Sequence, residues 1–486
     1  MDGPHPPGPP LPRGEGGERR GDSYPPSPLP PAEGKGERAG ISRPRDRGEG
    51  AASGGPEPGL GGDLHGAASG QGAASGEGAA GGQGAASSAP TATGAGDAEQ
   101  RRRDAEALAR ARRRRFLAET ALSLALPLVA WKSGLAWAIA GWCALRGPAL
   151  NESGEVVFSA ASVMNSPAGW IEVGVFAATL LLLYRVVLLP LNYFAGYRLS
   201  RRYGLTTQSL GAWLVDWLKV TAIGVTIGTL LAVAFYACVG LLGASWWWAY
   251  ALLLTGAVVV FTYVAPYVLL PLFYRLRPLE QGPLVERIDA LFARAGVRQP
   301  RIAAIDLSAR STAANAAVIG FGTSRRVVLG DTLLESFTLD EIETVVAHEL
   351  GHHVRGDIWR GLGLEVGTIW VGLGLAALPL APLFRLLGWG DWQAPANFVV
   401  LGLLLEVAGL VMLPLMNGFS RHVERAADRY ALDLTQAPAA FVAAMRKLAS
   451  QNLIEPEPPR WAELLLYTHP PVAQRVRAAE EAHGHA

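Results

Sequence analysis

Residues 338–354 read TLDEIETVVAHELGHHV, a stretch that predicts one helix carrying two metal ligands. Thr338 and Glu341 form the two halves of a capping box, which signals the start of a helix. Apolar residues then recur at helical spacing through the rest of the stretch. His348 and His352 are four positions apart, so their imidazoles lie on one face of that helix and can bind the same ion.

Glu349 follows the first of these histidines and is expected to act as the general base toward a water molecule at the metal. A catalytic zinc ion takes three protein ligands and keeps one position open. One class of such sites uses a later histidine that follows a glycine at fixed spacing, but Arg355 occupies the position of that glycine. We therefore expect the third ligand to be a glutamate on another helix.

The third ligand is expected within residues 420–430, which read SRHVERAADRY. Glu424 would bind the metal, while Asp428, one helical turn later, would accept the N–H of a ligating histidine and fix its tautomer. The alternative is that this segment is a solvent-exposed helix face with Arg421 and Arg425. The predicted centre therefore holds one zinc ion per chain, bound by the two motif histidines and Glu424.

The rest of the chain has two contrasting compositions. Residues 1–99 are mostly Gly, Pro, Ala and Ser, with near-repeats such as GAASGQGAASGEGAAGGQGAAS at 66–87 and almost no large apolar residues. Ordering such a segment costs backbone entropy that no apolar burial offsets, so we expect it to be disordered. From residue 116 onward long apolar runs dominate. The net charge of +1 gives no indication of a nucleic-acid partner.

The long apolar runs predict an α-helical integral membrane protein, because a bilayer core takes roughly 20 apolar residues as a helix. Six spans are expected, at about 116–145, 168–190, 219–243, 246–273, 359–384 and 396–417. Lys132 and Ser133 interrupt the first of them. The expected order along the chain is a tail (1–99), a membrane domain of four spans (100–275), a first catalytic part (276–358), two further spans (359–417) and a second catalytic part (418–486).

Basic residues set the expected orientation of these spans. Arginines precede the first span and follow the second, fourth and sixth, as Arg101, Arg110, Arg115, Arg198, Arg201, Arg275, Arg277, Arg421 and Arg425. The loops on the opposite side, 147–167 and 385–395, contain a single arginine, Arg385. We therefore expect both termini and both catalytic parts to be cytoplasmic.

Several blocks beyond the histidine motif resemble the type-one CAAX prenyl endopeptidases, a family of membrane-embedded zinc metalloproteases of the gluzincin class. The blocks are YGLTTQSLGAWLVDWLK (203–219), YVAPYVLLPLFYRLRPL (263–279), SARSTAANAAVIGFGTSRRVVLGDTLLE (308–335), HELGHH (348–353), SRHVERAAD (420–428) and YTHPPVAQRV (467–476). The resemblance covers roughly 168–480. It implies peptide-bond hydrolysis by a mainly helical catalytic domain that contains a small β-hairpin or edge strand.

The resemblance also implies roles for residues outside the metal centre. Asn315 is implied to hydrogen-bond the substrate backbone, next to an edge strand, Ala316 and Ala317 onward, on which a peptide lies as an added strand. His469 is implied to stabilise the oxyanion, and Arg475 to be a supporting cation. Without the resemblance, Asn315 would be interpreted as a turn residue and His469 as a structural loop histidine.

Taken together, the sequence predicts an integral-membrane zinc metalloendopeptidase acting on peptide or protein substrates, whether or not these are membrane-associated or lipidated. The Ala-, Gly- and Arg-rich usage indicates a GC-rich bacterial genome, and hence a plasma-membrane location and cleavage that does not require a prenyl group. One alternative is a membrane quality-control protease of the heat-shock branch, which has fewer spans before the motif. The other is a non-catalytic membrane protein, in which the motif would be damaged.

Overall fold

A computed structural model of the chain describes residues 92–143, 167–320 and 325–484. Most of the predicted tail, residues 1–91, lies outside the described residues. The prediction of disorder is wrong for 92–99, because helix α1 begins at Ala92. Side-chain pairs at i,i+4 spacing stabilise this first stretch, with Glu99 Oε1 3.2 Å from Arg103 Nε.

Long helices form the N-terminal part of the described chain. They are α1 (Ala92–Lys132), α2 (Leu135–Cys143), α3 (Pro167–Val187), α4 (Leu210–Leu242) and α5 (Trp246–Phe273). After α3 the chain stays helical through a π-helical segment, Asn192–Arg198, as far as Arg202. Large apolar side chains such as Leu230, Leu241 and Val260 are exposed on these helices, as expected of surfaces that face lipid.

The first predicted span, 116–145, is not one straight helix. Helix α1 ends at Lys132 and α2 starts at Leu135, and the two are bent by 69°. Gly134 makes the break with φ at 80°, a conformation that glycine adopts without steric cost. The break lies next to Lys132 and Ser133, the residues expected to interrupt this span, and the last two residues of the predicted span, 144–145, lie outside the described residues.

Helices α4 and α5 form an antiparallel hairpin. The hydroxyl of Tyr250 donates to the carbonyl of Leu231 (3.2 Å), and Lys219 Nζ, near the start of α4, donates to the carbonyl of Leu272, at the end of α5 (3.3 Å). The turn is made at Gly243, where φ is 53°. The two arms correspond to the third and fourth predicted spans.

Four helical stretches among the described residues are long and apolar enough to cross a membrane: Pro167–Arg202, Leu210–Phe273, Asp357–Leu386 and Pro395–Thr435. The bent pair α1–α2 adds a fifth if it is counted as one span. The second stretch is the 64-residue α4–α5 hairpin, so counting its arms separately would give six. The fold is therefore that of a helical membrane protein, and the number six stays a prediction.

A small sheet and three helices follow the hairpin. In chain order they are β1 (Leu276–Pro278), α6 (Pro283–Arg294), β2 (Arg301–Ile305), β3 (Ala316–Ile319), β4 (Arg326–Gly330), α7 (Asp331–Ser336) and α8 (Leu339–Val354). The strand order is β1-β2-β4-β3, with β2 and β4 parallel and the other pairs antiparallel. The predicted hairpin is thus β3–β4 within a larger sheet, and β3 is an edge strand.

Helix α8 is the centre of the core beneath this sheet. Its capping box is present, since the Glu341 amide donates to Thr338 Oγ1 (3.3 Å) and the Thr338 amide donates to the Glu341 carboxylate (2.8 Å). Val346 and Leu350 on the inward face are fully buried, among the apolar side chains of α6, the sheet and the C-terminal helices. This packing orients the opposite face of α8, which carries the motif histidines.

The chain then returns to long helices and ends in three shorter ones. They are α9 (Asp357–Leu386), α10 (Phe398–Thr435), α11 (Pro438–Gln451), α12 (Arg460–Leu466) and α13 (Val472–Gly484). Helix α10 is 38 residues long and passes without a break through residue 417, where we expected the sixth span to give way to the second catalytic part. One helix therefore contains both the sixth predicted span and the predicted third ligand.

Candidate active site

Helices α8 and α10 bring the three predicted ligands together. His348 Nε2 and His352 Nε2 lie 3.2 Å apart on α8. The Glu424 carboxylate on α10 faces both rings, with oxygens 3.3 Å from the first Nε2 and 3.4 Å from the second. Gly351 makes this close approach possible, because a Cβ there would lie 3.0 Å from the ring of Tyr430 on α10.

The donor set fits a metal ion. One ligand atom from each of His348, His352 and Glu424 lies within 4.8 Å of the others. Two imidazole nitrogens that face each other at 3.2 Å have no mutual attraction unless a proton or a cation lies between them. Glu424 Oε2 is fully buried yet makes no hydrogen bond of good geometry. A bound cation would satisfy all three groups at once.

The outer nitrogen of each histidine is held by a carboxylate. His348 Nδ1 lies 2.9 Å from Asp428 Oδ1, the predicted orienting contact. His352 Nδ1 lies 3.2 Å from Asp357 Oδ2, a contact that was not predicted from the sequence. Asp357 is the first residue of α9 and is buried, five positions after His352. The sequence did contain a signal for this contact, because Asp357 is a carboxylate just beyond the motif, at the start of the next apolar run.

The Asp357 contact predicts a clear effect on metal binding. An Asp357→Asn substitution should weaken metal affinity by about 10- to 100-fold, because the ring of His352 would lose the acceptor that orients it. Competition with a chromophoric chelator measures this affinity directly. Asp433→Asn, the same change at an exposed position of α10, is the control and should leave affinity unchanged. Equal affinities in the two variants would show that Asp357 does not support the site.

A cavity of about 340 Å³ opens beside the three ligands. Glu349 and His469 both line it, together with Asn315 and Ala316. Burial raises the pKa of Glu349, as suits a group that takes up a proton. Partial desolvation by the surrounding atoms lowers the pKa of His469, so its ring is neutral at pH 7, and its Nε2 lies 3.3 Å from Glu424. The expected base and oxyanion partner therefore share one cavity with the edge strand.

Arg475 and Arg421 hold parts of the site in place. Arg475 Nε donates to Asp428 (2.8 Å), so this arginine acts on the site through the carboxylate that orients His348. Arg421, on α10, is buried and donates to the carbonyls of Glu463 (2.6 Å) and Tyr467 (2.7 Å). The interpretation of residues 420–430 as a solvent-exposed face is therefore wrong, since Arg421 anchors the segment that leads to the Thr-His-Pro-Pro sequence.

The edge strand β3 begins at the cavity. Asn315 is exposed, its side-chain oxygen accepts from the amide of Ala316 (2.9 Å), and its carbonyl accepts from Gly330 (2.9 Å). Ala314 is held at both backbone groups by the side-chain amide of Asn452, at 2.9 and 3.1 Å. The role of Asn452 was not predicted, because nothing in the sequence around it indicates a contact with Ala314, which lies 138 residues earlier in the chain. Ala317 is part of β3 but does not line the cavity.

Comparison with known proteins agrees with this architecture along the whole described chain. Residues 92–275 match the family model described as "CAAX prenyl protease N-terminal, five membrane helices", a region for which we predicted four spans. Residues 278–483 match peptidase family M48. The two models meet where the α4–α5 hairpin ends and the sheet begins.

Individual proteins that this chain resembles are also metalloproteases or CAAX prenyl proteases. An uncharacterized metalloprotease of Bacillus subtilis, YhfN, is 30% identical over 64% of this chain and 76% of the relative. A CAAX prenyl protease 1 homolog of Oryza sativa is 27% identical over 68% of this chain and 78% of the relative. The crystal structure of S. mikatae Ste24p shares the fold, with a TM-score of 0.66 and 24% identity over 78% of this chain and 89% of that one.

Metalloproteases of this family use a metal ion to hydrolyse peptide or protein substrates, and the geometry around His348, His352 and Glu424 fits such an ion. The long apolar helices among the described residues fit an integral membrane protein. The chain therefore belongs to peptidase family M48 and is an integral-membrane metalloprotease of the CAAX prenyl protease type.

Proposed function

We propose that this chain is a zinc endopeptidase in which His348, His352 and Glu424 hold one zinc ion. The observation that carries the proposal is the meeting of two histidines and a buried glutamate beside a cavity lined by Glu349 and His469. Two imidazoles and one carboxylate are a known ligand set of catalytic zinc, which leaves one position open. Asp428 and Asp357 would hold the two rings as acceptors for their outer N–H groups.

Each side chain around the cavity has a separate role in the proposed hydrolysis. Zinc, when bound, polarises the scissile carbonyl and lowers the pKa of water. Glu349 takes the proton of the attacking water and passes it to the leaving amine. His469, neutral at pH 7, donates its Nε2–H to the oxygen on which negative charge develops. Arg475 keeps Asp428, and through it the ring of His348, in one orientation.

Substrate would bind as an extended segment along β3. The strand is paired with β4 on one side only, and its first residue, Ala316, lines the cavity. Main-chain groups of Ala316 and Ala317 can therefore pair with a peptide, while Asn315 contacts the peptide backbone beside the scissile bond. Recognition by main-chain pairing selects for an extended backbone more than for particular side chains.

Metal uptake by the metal-free protein is expected to release protons. Burial opposes a charge on His348, but the Asp428 and Glu424 carboxylates outweigh it and raise the pKa of His348 to about 9. The ring is thus protonated at neutral pH and must lose its proton before it can bind an ion. Apparent zinc affinity should therefore rise as pH rises toward about 9 and level off above it. Proton release during titration at pH 7 in weak buffer measures this, and an affinity independent of pH would contradict it.

The relatives named CAAX prenyl proteases raise the question of whether this chain needs a prenylated substrate. We propose that it does not, because main-chain pairing at β3 needs no lipid. A farnesylated and an unmodified version of one peptide should differ mainly in apparent affinity, through partitioning of the lipid, with kcat values within about tenfold. Cleavage of the farnesylated peptide alone, at every concentration, would make the enzyme a dedicated CAAX protease.

We also propose that the protein lies in the plasma membrane of a bacterium, with its active site on the cytoplasmic side. It rests on the arginine clusters, since basic residues remain on the cytoplasmic side. In a background without Cys143 and Cys238, an impermeant thiol reagent should label Glu152→Cys on intact cells. Ala478→Cys should react only after the membrane is opened. The reverse labelling pattern would invert the orientation and place catalysis outside the cell.

The quality-control alternative receives no support, because the match to the CAAX-type N-terminal model spans 92–275. A non-catalytic role is also disfavoured, because every predicted catalytic position is present and the ligands converge.

A further inference from the structure

The segment from Asn452 to Glu455, which follows α11, connects three parts of the molecule. Asn452 holds Ala314 at the start of the substrate strand. Leu453 is buried in the left-handed region, with φ at 47°, a strained conformation for a residue with a branched side chain. Glu455 is buried as well and lines the active-site cavity. Surrounding contacts must hold this segment, because its own backbone preference opposes it.

Some of those contacts come from helix α1, and others from the segment around Leu205. Ala105 and Leu108 of α1 are buried against Leu453. One turn further along α1, Arg113 Nη1 lies 2.5 Å from Glu455 Oε2, and their side chains are only 13% and 8% exposed. A buried carboxylate needs a charged partner, so the ion pair with Arg113 holds the Glu455 side chain in this position. Arg113 belongs to the arginine cluster of residues 110–115 that precedes the first predicted span, and the predicted role of this cluster in membrane orientation requires no such contact.

Glu455, held by Arg113, in turn contacts the segment that carries His469. The hydroxyl of Tyr467 donates to Glu455 Oε2 at 3.0 Å, and the carbonyl of Tyr467 accepts from Arg421. Glu455 and Tyr467 line both the active-site cavity and a second cavity of about 430 Å³ beside α1, which Arg113 also lines. Glu455 and Tyr467 therefore separate the two cavities, with Arg113 on the side of the second one, and Tyr467 lies two residues before His469.

We propose that Arg113 is a positioning residue for proteolysis, which acts through Glu455 and Tyr467 to fix the segment that presents His469 to the substrate. The inference rests on the proposed role of His469. It makes the N-terminal membrane helix part of the active-site architecture. A displaced catalytic group lowers the rate of the chemical step more than it lowers substrate binding, because only the transition-state contact is lost.

The test compares two neighbouring arginines of the same cluster. Arg113→Gln should lower the kcat of the purified, zinc-loaded enzyme on a fluorogenic peptide about tenfold or more, with KM changed less than about threefold. Arg114→Gln, at an exposed position, should leave both constants unchanged. Arg113→Lys keeps the charge but loses the guanidinium fork that contacts both oxygens of Glu455, so it should lower kcat less than Arg113→Gln does. Tyr467→Phe keeps the ion pair and should lower kcat in the same direction, by less.

Amide hydrogen exchange gives a second readout that needs no turnover. Exchange in residues 464–470 should be faster in Arg113→Gln than in Arg114→Gln, at equal zinc content. An inactive wild type would refute the proposed function, while faster exchange would still support the Arg113 contact. An active wild type whose kcat and exchange are the same in both variants would overturn the inference. So would a loss in Arg113→Gln that matches a loss of zinc or of folded protein, or a kcat in Arg113→Lys as low as that in Arg113→Gln.

Discussion

Glu349→Gln is expected to lower kcat by about 100- to 10,000-fold without loss of metal, because the glutamine amide cannot accept the proton of the attacking water. The side chain lines the active-site cavity and is not one of the three converging ligands, so zinc content should stay at that of the wild type. Single-turnover cleavage of a fluorogenic peptide, normalised to measured zinc, gives the rate of the chemical step.

The control for this prediction is Glu335→Gln, the same change at an exposed position of α7. It should leave kcat, KM and zinc content at wild-type values. Turnover within about tenfold of the wild type in metal-replete Glu349→Gln would contradict the assignment of this residue as general base. Loss of zinc in that variant would instead assign it a role in metal binding.

Glu424→Ala should remove activity by a different route, through the loss of zinc. Its carboxylate contributes both oxygens to the space between the two imidazoles, and no other carboxylate among the described residues converges there with them. Loss of a direct ligand should weaken affinity beyond the about 10- to 100-fold expected for loss of an orienting partner. The thermal midpoint should also become insensitive to added zinc, because zinc can stabilise only the folded state that binds it.

His422→Ala is the matched control for the ligand variant. His422 lies two residues before Glu424 on α10, but its side chain is exposed on another face of the helix. Zinc content and the zinc-dependent rise in the thermal midpoint should match the wild type. Stoichiometric zinc in purified Glu424→Ala, measured by atomic absorption, would mean that another residue supplies the third ligand.

Features encoded by neighbouring residues could be predicted from the sequence. The capping box of Thr338 and Glu341, the helix that follows it and the shared face of the two motif histidines all depend on spacings of three or four residues. Glu424 lies about 70 residues after those histidines, but it could still be predicted, because a catalytic zinc ion needs a third protein ligand and few residues of the chain could supply it. Apolar run length predicted the hairpin arms of α4 and α5 in the same direct way.

Contacts between distant polar groups could not be predicted. Asp357, Arg421, Asn452 and Glu455 look like ordinary polar residues in the sequence, and each gains its role from a partner that only the folded chain brings near. An interruption was expected at Lys132 and Ser133, but the 69° bend at Gly134 was not, because a glycine in an apolar run is compatible with a straight helix as well as with a broken one. Helix α1 began earlier than expected because its charged pairs stabilise a segment that has few apolar residues.

Helix α10 runs without a break from the sixth predicted span to the metal ligand Glu424, so it fixes the distance between them. Between residue 417, where the predicted span ends, and Glu424, the helix rises about 10 Å. A helix keeps that rise, so a membrane surface at the predicted end of the span would place the scissile bond at a fixed level above it. A peptide anchored at the membrane surface covers this distance with about three extended residues. The enzyme would then act as a ruler, choosing a bond by its distance from the anchor as much as by the side chains around it.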